Sequence, residues 1–168
     1  MRDEARSIQI EEDLTFQGHQ MRFERIGWTV LGVLLVASLL GLLGQGPLSG
    51  ATAGDEGDPI RVNYGRLERK SNPTTVTVEL APEAASEGEA RVWIDRDWVN
   101  GVLIDSVVPE PESIEIDPRR LVYVFAAKPG EGPIEIVFHL EYEGWGWQSG
   151  EIGLDGGLSH EFGQVIYP

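Results

Sequence analysis

The chain has 168 residues, no cysteine and a formal net charge of −15. The absence of thiols excludes disulfides, thiolate metal sites and cysteine nucleophiles, and the acidity argues against nucleic acid as a partner, because phosphate is repelled. About 110 residues follow one long apolar run, enough for a single domain.

Residues 1–25 are too few to fold alone and read as a cytoplasmic tail. Glu11, Glu12 and Asp13 suit the start of a helix. Phe16 and Phe23 lie seven apart and share one helix face, so the segment reads as a short interfacial helix or as a docking segment for a partner subunit. Gly18 in its middle weakens the helix.

From Ile26 to Leu43 there are 18 residues without a charge. At 1.5 Å per residue such a helix is about 27 Å long, close to the ~30 Å hydrocarbon core of a bilayer. The run predicts a transmembrane α-helix over 26–44. Arg22 and Arg25 precede it and Trp28 falls at interfacial depth, while the first basic residue beyond it is Arg61. The N-terminus is therefore expected in the cytoplasm and the rest outside it. Gly32, Ala37 and Gly41 supply small surface for close helix–helix packing, with a like copy or with another membrane protein. The competing reading is a signal peptide cut after Ala51-Thr52-Ala53. Two features favour the anchor: the apolar run is long for a signal peptide, and the leader before it is of mixed charge.

Residues 45–59, QGPLSGATAGDEGDP, have no periodicity and read as a flexible linker. Beyond it the period becomes two, and residues 60–168 read as one all-β domain. TTVTVEL puts Val76, Val78 and Leu80 on one face. ARVWID does the same for Val92 and Ile94. Asn100-Gly101 predicts a type I′ hairpin turn into VLIDSVV. EPESIEI holds a short strand at most, and LVYVFAA is a strand. IEIVFHLEY is the longest alternating run, with Ile134, Ile136, Phe138, Leu140 and Tyr142 together. EIGLDGG and SHEFGQVIYP close the domain. About seven strands without a helix predict an antiparallel β-sandwich of the immunoglobulin or fibronectin type III kind, with a small barrel as the alternative.

The chemistry-bearing residues are few. Asp95-Arg96-Asp97 has the composition of a calcium loop, but the ligand register fails at Val99 and Ser106. His139 and His160 alone do not make a metal site. There is no nucleophile elbow, zinc-protease helix motif or phosphate loop. No cofactor and no catalytic activity are expected. Trp145 and Trp147 flank a glycine in EGWGWQSG. Either they meet a partner or a flat apolar ligand, or they sit on the membrane surface, or they fold back over an open end of the sandwich. Trp93 and Trp98 read as core and rim.

Arg25-Ile26-Gly27-Trp28 enters the apolar run, Gly46-Pro47-Leu48 leaves it, and Val165-Ile166-Tyr167-Pro168 ends the β region. With these features the chain resembles a group of bacterial single-pass membrane proteins that carry a brief tail and a β-sandwich ectodomain. The resemblance implies the bacterial inner membrane, with the β domain in the periplasm or outside the cell, and implies no activity. The expectation is a non-catalytic accessory subunit or protein-interaction module of a membrane or envelope assembly. Its rival is an envelope ligand-binding or sensing domain for glycan, lipid or calcium.

Overall fold

The computed structural model describes residues 14–39, 49–127 and 132–168, with the backbone alone for 14–22. The chain divides into two units, Met1–Leu39 and Leu40–Pro168. In the first, α1 runs from Leu14 to Leu39, 26 residues. The tail helix and the start of the apolar run are thus one uninterrupted helix; Gly18 and Gly27 do not break it. From Phe23 onward nearly every side chain is exposed, and the large apolar ones, among them Ile26, Val30, Leu34 and Leu39, lie on all sides of the helix. Residues 40–44 of the expected span lie outside the described residues. Among the described residues no helix is long and apolar enough to cross a membrane.

The second unit is a β-sandwich, as the alternation predicts. One sheet holds β1 (Gly50–Ala53), β2 (Ile60–Gly65), β4 (Thr74–Leu80), β9 (Ile134–Tyr142) and β6 (Val102–Val108), in the order β1-β2-β4-β9-β6. The other holds β3 (Leu67–Arg69), β11 (Ser159–Tyr167), β10 (Gly146–Leu154), β5 (Glu89–Asp95), β8 (Arg120–Ala126) and β7 (Ser113–Ile116), in the order β3-β11-β10-β5-β8-β7. Between them lie the predicted inward residues: Val76, Val78 and Leu80 of β4, Val92 and Ile94 of β5, and Ile136, Phe138, Leu140 and Tyr142 of β9. Each alternates with a more exposed neighbour, the signature of a sheet with one buried face.

Four expectations are corrected. The described residues form eleven strands, not about seven. The additional ones are short, and main-chain pairing orders them rather than an apolar pattern: β1 reads GATA and β3 only LER. Second, β1 falls inside the expected linker, where it pairs antiparallel with β2. Third, β3 runs parallel to β11, so the sandwich is not wholly antiparallel. Fourth, Asn100-Gly101 makes no hairpin. Arg96–Val99 form one helical turn, α2, capped by Asp95, whose carboxylate accepts from the Trp98 N–H at 3.4 Å. Asn100 has φ −68°, and the chain crosses from one sheet to the other. The buried Trp98 decides the matter: it turns into the core behind β10, which a two-residue turn would prevent.

Candidate functional site

Of the two tryptophans of EGWGWQSG, Trp147 lies in a strand and Trp145 in the connection just before it. Gly146 between them has φ +103°, a conformation that side chains disfavour, and it starts β10. Trp145 is 73% and Trp147 69% exposed. Neither folds back over the sandwich. Trp147 lies flat on the neighbouring strand, because a Cβ placed on Gly163 would sit 2.3 Å from its Cζ2. A glycine beneath an aromatic ring on an adjacent strand is a stable way to hold a large side chain on an open sheet face.

The two-residue alternation continues from this ring. Ser149 and Glu151 of β10 project to the same face as Trp147, and Glu161 and Gly163 of β11 join them. Glu151 and Glu161 are direct cross-strand partners, a like-charge juxtaposition that costs stability unless something positive or hydrogen-bonding lies over it. Glu151 accepts a hydrogen bond from the Ser159 hydroxyl at 2.6 Å. Together with Asp95, these residues line a shallow groove of ≈ 650 Å3. The groove offers one aromatic plate and several oxygen acceptors. Sequence reading finds the tryptophans but misses Ser149, Glu151 and Glu161. The alternation W-x-S-x-E from Trp147 signals Ser149 and Glu151, whereas Glu161 joins only by pairing with Glu151 across β10 and β11.

The floor behind this face is rigid. Trp98 is 1% exposed and packs edge-on to Phe162 with ring centres 5.3 Å apart. A Cβ on Gly150 would reach 2.6 Å from its Cγ, so glycine is required there. The Tyr142 hydroxyl donates to Gln164 Oε1, and Gln164 Nε2 donates to the Gly65 carbonyl at 2.7 Å. Burial holds the Tyr142 phenol well above its ordinary range, opposed by its bond to Gln164 and reinforced by the charge of Glu68. The Trp98 indole N–H is buried beside this hydroxyl with no well-aligned acceptor.

Further along the same sheet face, Arg91 meets Glu115 at 2.6 Å and Asp155 at 3.2 Å, and Arg120 meets Asp155 at 3.3 Å. The Arg120 guanidinium stands 5.8 Å from the centre of the Trp93 ring. This network roofs the buried Val122 and Val124 and has its charges paired, which suits structure better than binding. His160 Nε2 lies 3.3 Å from Asp58 and close against Gly54, at the β1–β2 turn. No group of three or more metal-ligating side chains occurs among the described residues.

The helix candidates are distributed as follows. Phe23 and Trp28 are exposed, 74% and 67%, on α1. Arg25 gives its carbonyl to the Thr29 hydroxyl at 2.8 Å. Nothing lies within 4 Å of a Cβ placed on Gly32, and Ala37 is half-buried. The side chains of Phe16 and Arg22, and Gly41 altogether, lie outside the described residues.

No family model and no curated protein matches the chain. Among solved structures it is similar to the cohesin module from a Clostridium perfringens family 33 glycoside hydrolase, at 8% identity over 69% of this chain and 98% of that module, with a TM-score of 0.42. A likeness at that level carries no argument about activity or partner.

Proposed function

We propose that the protein is a non-catalytic, single-pass membrane protein whose immunoglobulin-like β-sandwich captures a partner outside the cytoplasm. One observation carries the reading: two tryptophans stay largely exposed, Trp147 on strand β10 beside the facing carboxylates of Glu151 and Glu161 and Trp145 just before that strand. Water-exposed indoles are costly and are concentrated where proteins meet partners. A helix apolar on all sides is either buried or in lipid, which supports reading 26–44 as an anchor. Arg22, Arg25 and Trp28 then mark the cytoplasmic interface, and the β domain faces the periplasm or the exterior of a bacterial inner membrane.

The first test is the intact mass of a C-terminally tagged copy from washed membranes. A full-length mass supports the anchor; a mass beginning at Gly54 makes the segment a signal peptide and removes the helix from the function. The second test is partner capture in mild detergent with Trp145 and Trp147 both replaced by Ala. The expected result is a folded domain that no longer retains the partner.

A second reading has its own observation. An aromatic plate bordered by Ser149, Glu151 and Glu161 is also a surface on which a sugar ring can stack while its hydroxyls donate to carboxylates. Titration with envelope glycan fragments, followed by tryptophan emission, separates the two: a saturable shift lost in Trp147→Ala favours the glycan.

A further inference from the structure

Each sheet has two edge strands, and three of the four edges are guarded. β1 and β3 are four and three residues long with no exposed large apolar side chain. β6 is interrupted by a bulge at Asp105, which places a charge on the edge. Short strands, bulges and edge charges are the usual protections against pairing with another chain. The fourth edge, β7, is also only four residues long and carries Glu115, whose charge Arg91 engages, but it has no recorded register shift and, unlike β1 and β3, it presents large apolar side chains. All four of its residues are exposed, and Ile114 and Ile116 are 48% and 71% exposed. In the β7–β8 ladder, Ile114 is opposite Tyr123 and Ile116 opposite Leu121, so both project to the inner side of the sandwich. The Asp117 N–H bonds the Arg120 carbonyl at 2.9 Å. Ladder alternation then turns Ser113 and Glu115 toward β8, and the main-chain N–H and C=O of Ile114 and Ile116 toward the open side.

Beside this edge the sandwich opens laterally. A groove of ≈ 630 Å3 is lined by Ile104 and Val107 of β6, Ile114 and Tyr123, and rimmed by Asp105 and Glu110. Glu112 extends the acidic rim toward β7, while Glu115, on the other face, is held by Arg91. Other basic side chains near β7 stand at its far end, where Arg120 pairs with Asp117 and Asp155, Arg96 bonds the Asp117 carbonyl, and Arg119 follows. Residues 28–168 carry nine basic and 22 acidic groups.

We infer that β7 accepts an extended, cationic segment of another protein as an added strand, with alternate apolar side chains over Ile114, Tyr123 and Val107 and alternate Lys or Arg side chains toward the acidic rim. Main-chain bonds to Ile114 and Ile116 supply the pairing and the groove supplies the side-chain selection. A second copy of this chain is disfavoured as the occupant, because it brings the same negative charge to the same rim. The inference rests on reading the domain as an interaction module and names the chemistry of its partner.

The test uses the full chain in zwitterionic detergent and three fluorescent nine-residue peptides. One alternates Lys and Val, one alternates Glu and Val, and one is the Lys/Val peptide with every second backbone nitrogen methylated. The Lys/Val peptide should bind, by anisotropy, at least ten-fold more tightly than either other. The methylated peptide keeps charge and side chains but cannot complete a ladder, so equal binding of the two overturns the inference in favour of general charge attraction. Ile116→Pro removes one outward N–H without changing the charge and should weaken the Lys/Val peptide at least ten-fold. Binding lost in Trp147→Ala but kept in Ile116→Pro also overturns it and moves the site to the tryptophan face. If the Lys/Val peptide does not bind while the tagged protein still captures a partner, the β7 proposal falls and the module reading stands. If the peptide binds as expected and no partner is captured, the edge stands and the reading of Trp145 and Trp147 falls.

Discussion

Replacing Trp147 by Ala tests whether this side chain serves the fold or a partner, and Trp98→Ala provides the scale. Trp147 is 69% exposed, so about a third of its surface is covered, and its ring lies against Gly163. Of about 250 Å2 for a tryptophan side chain, that is about 80 Å2. At about 25 cal/mol per Å2 its loss costs about 2 kcal/mol. Trp98 is 1% exposed, packed edge-on to Phe162 and seated against Gly150. Its removal leaves a cavity and costs about 3–5 kcal/mol. For a domain of this size each kcal/mol moves the midpoint by about 4 °C. Far-ultraviolet circular dichroism on heating should therefore show Trp147→Ala melting no more than about 8 °C below wild type, and Trp98→Ala at least about 12 °C below or unfolded. Equal losses would refute the argument. Trp147 would then close the end of the sandwich, and its exposure would carry no functional meaning.

Two glycines under indoles give opposite outcomes. In Gly163→Ala the new methyl meets the far end of a ring that can swing into solvent, so stability should change by less than about 1 kcal/mol while the fluorescence of Trp147 moves. In Gly150→Ala it meets Cβ and Cγ of a ring with nowhere to go, and denaturant melts should show a loss of about 1–3 kcal/mol; a smaller loss would mean that Trp98 is less tightly held than its burial indicates. Burial raises the Glu68 carboxyl above its ordinary range, and a hydrogen bond from Thr74 partly offsets it. The folded state therefore keeps the Glu68 proton to higher pH than the unfolded chain does. Its contribution to stability falls as pH climbs through the unfolded value, about 4.3, and levels off above the folded one. Urea titrations of Glu68→Gln against wild type should give a difference in favour of the variant that grows over this window and then stays constant. A difference independent of pH would contradict the assignment.

The strands most easily read in the sequence are those whose order comes from burial. In β4, β5 and β9 every second residue is apolar, and these are the residues at the centre of the core. The elements that escape the reading are ordered by something a pattern of hydrophobicity does not encode. β1 has no side chain larger than Thr and is held by main-chain bonds to β2. β7 reads only as a short strand at most, because it lies wholly exposed and its alternation has no buried face to reveal. Asn100-Gly101 has the right local preference for a hairpin, but burying Trp98 outweighs a turn propensity. In EGWGWQSG the glycines indicate a loop, whereas here they make room for indoles within and beside a strand. The candidate site was half legible for the same reason. Trp145 and Trp147 stand out by composition, Ser149 and Glu151 follow from the alternation of β10, and Glu161 becomes their neighbour only through the β10–β11 register.

β1 also determines how the sandwich yields under tension. A load arriving from the N-terminal side enters at Gly50, on an outer strand of four small residues joined only to β2. β1 and β2 are antiparallel neighbours joined by the turn at Gly54–Pro59, so the pull opens their bonds one after another, as a zip opens, rather than all at once. Release of β1 lengthens the chain by about 13 Å, at about 3.3 Å per residue. The load then reaches the turn where His160 stands against Gly54 and Asp58. The ten remaining strands, with nearly all of the core, are untouched at that point. The strand would then yield first under such a load, giving slack while the rest of the sandwich keeps its shape.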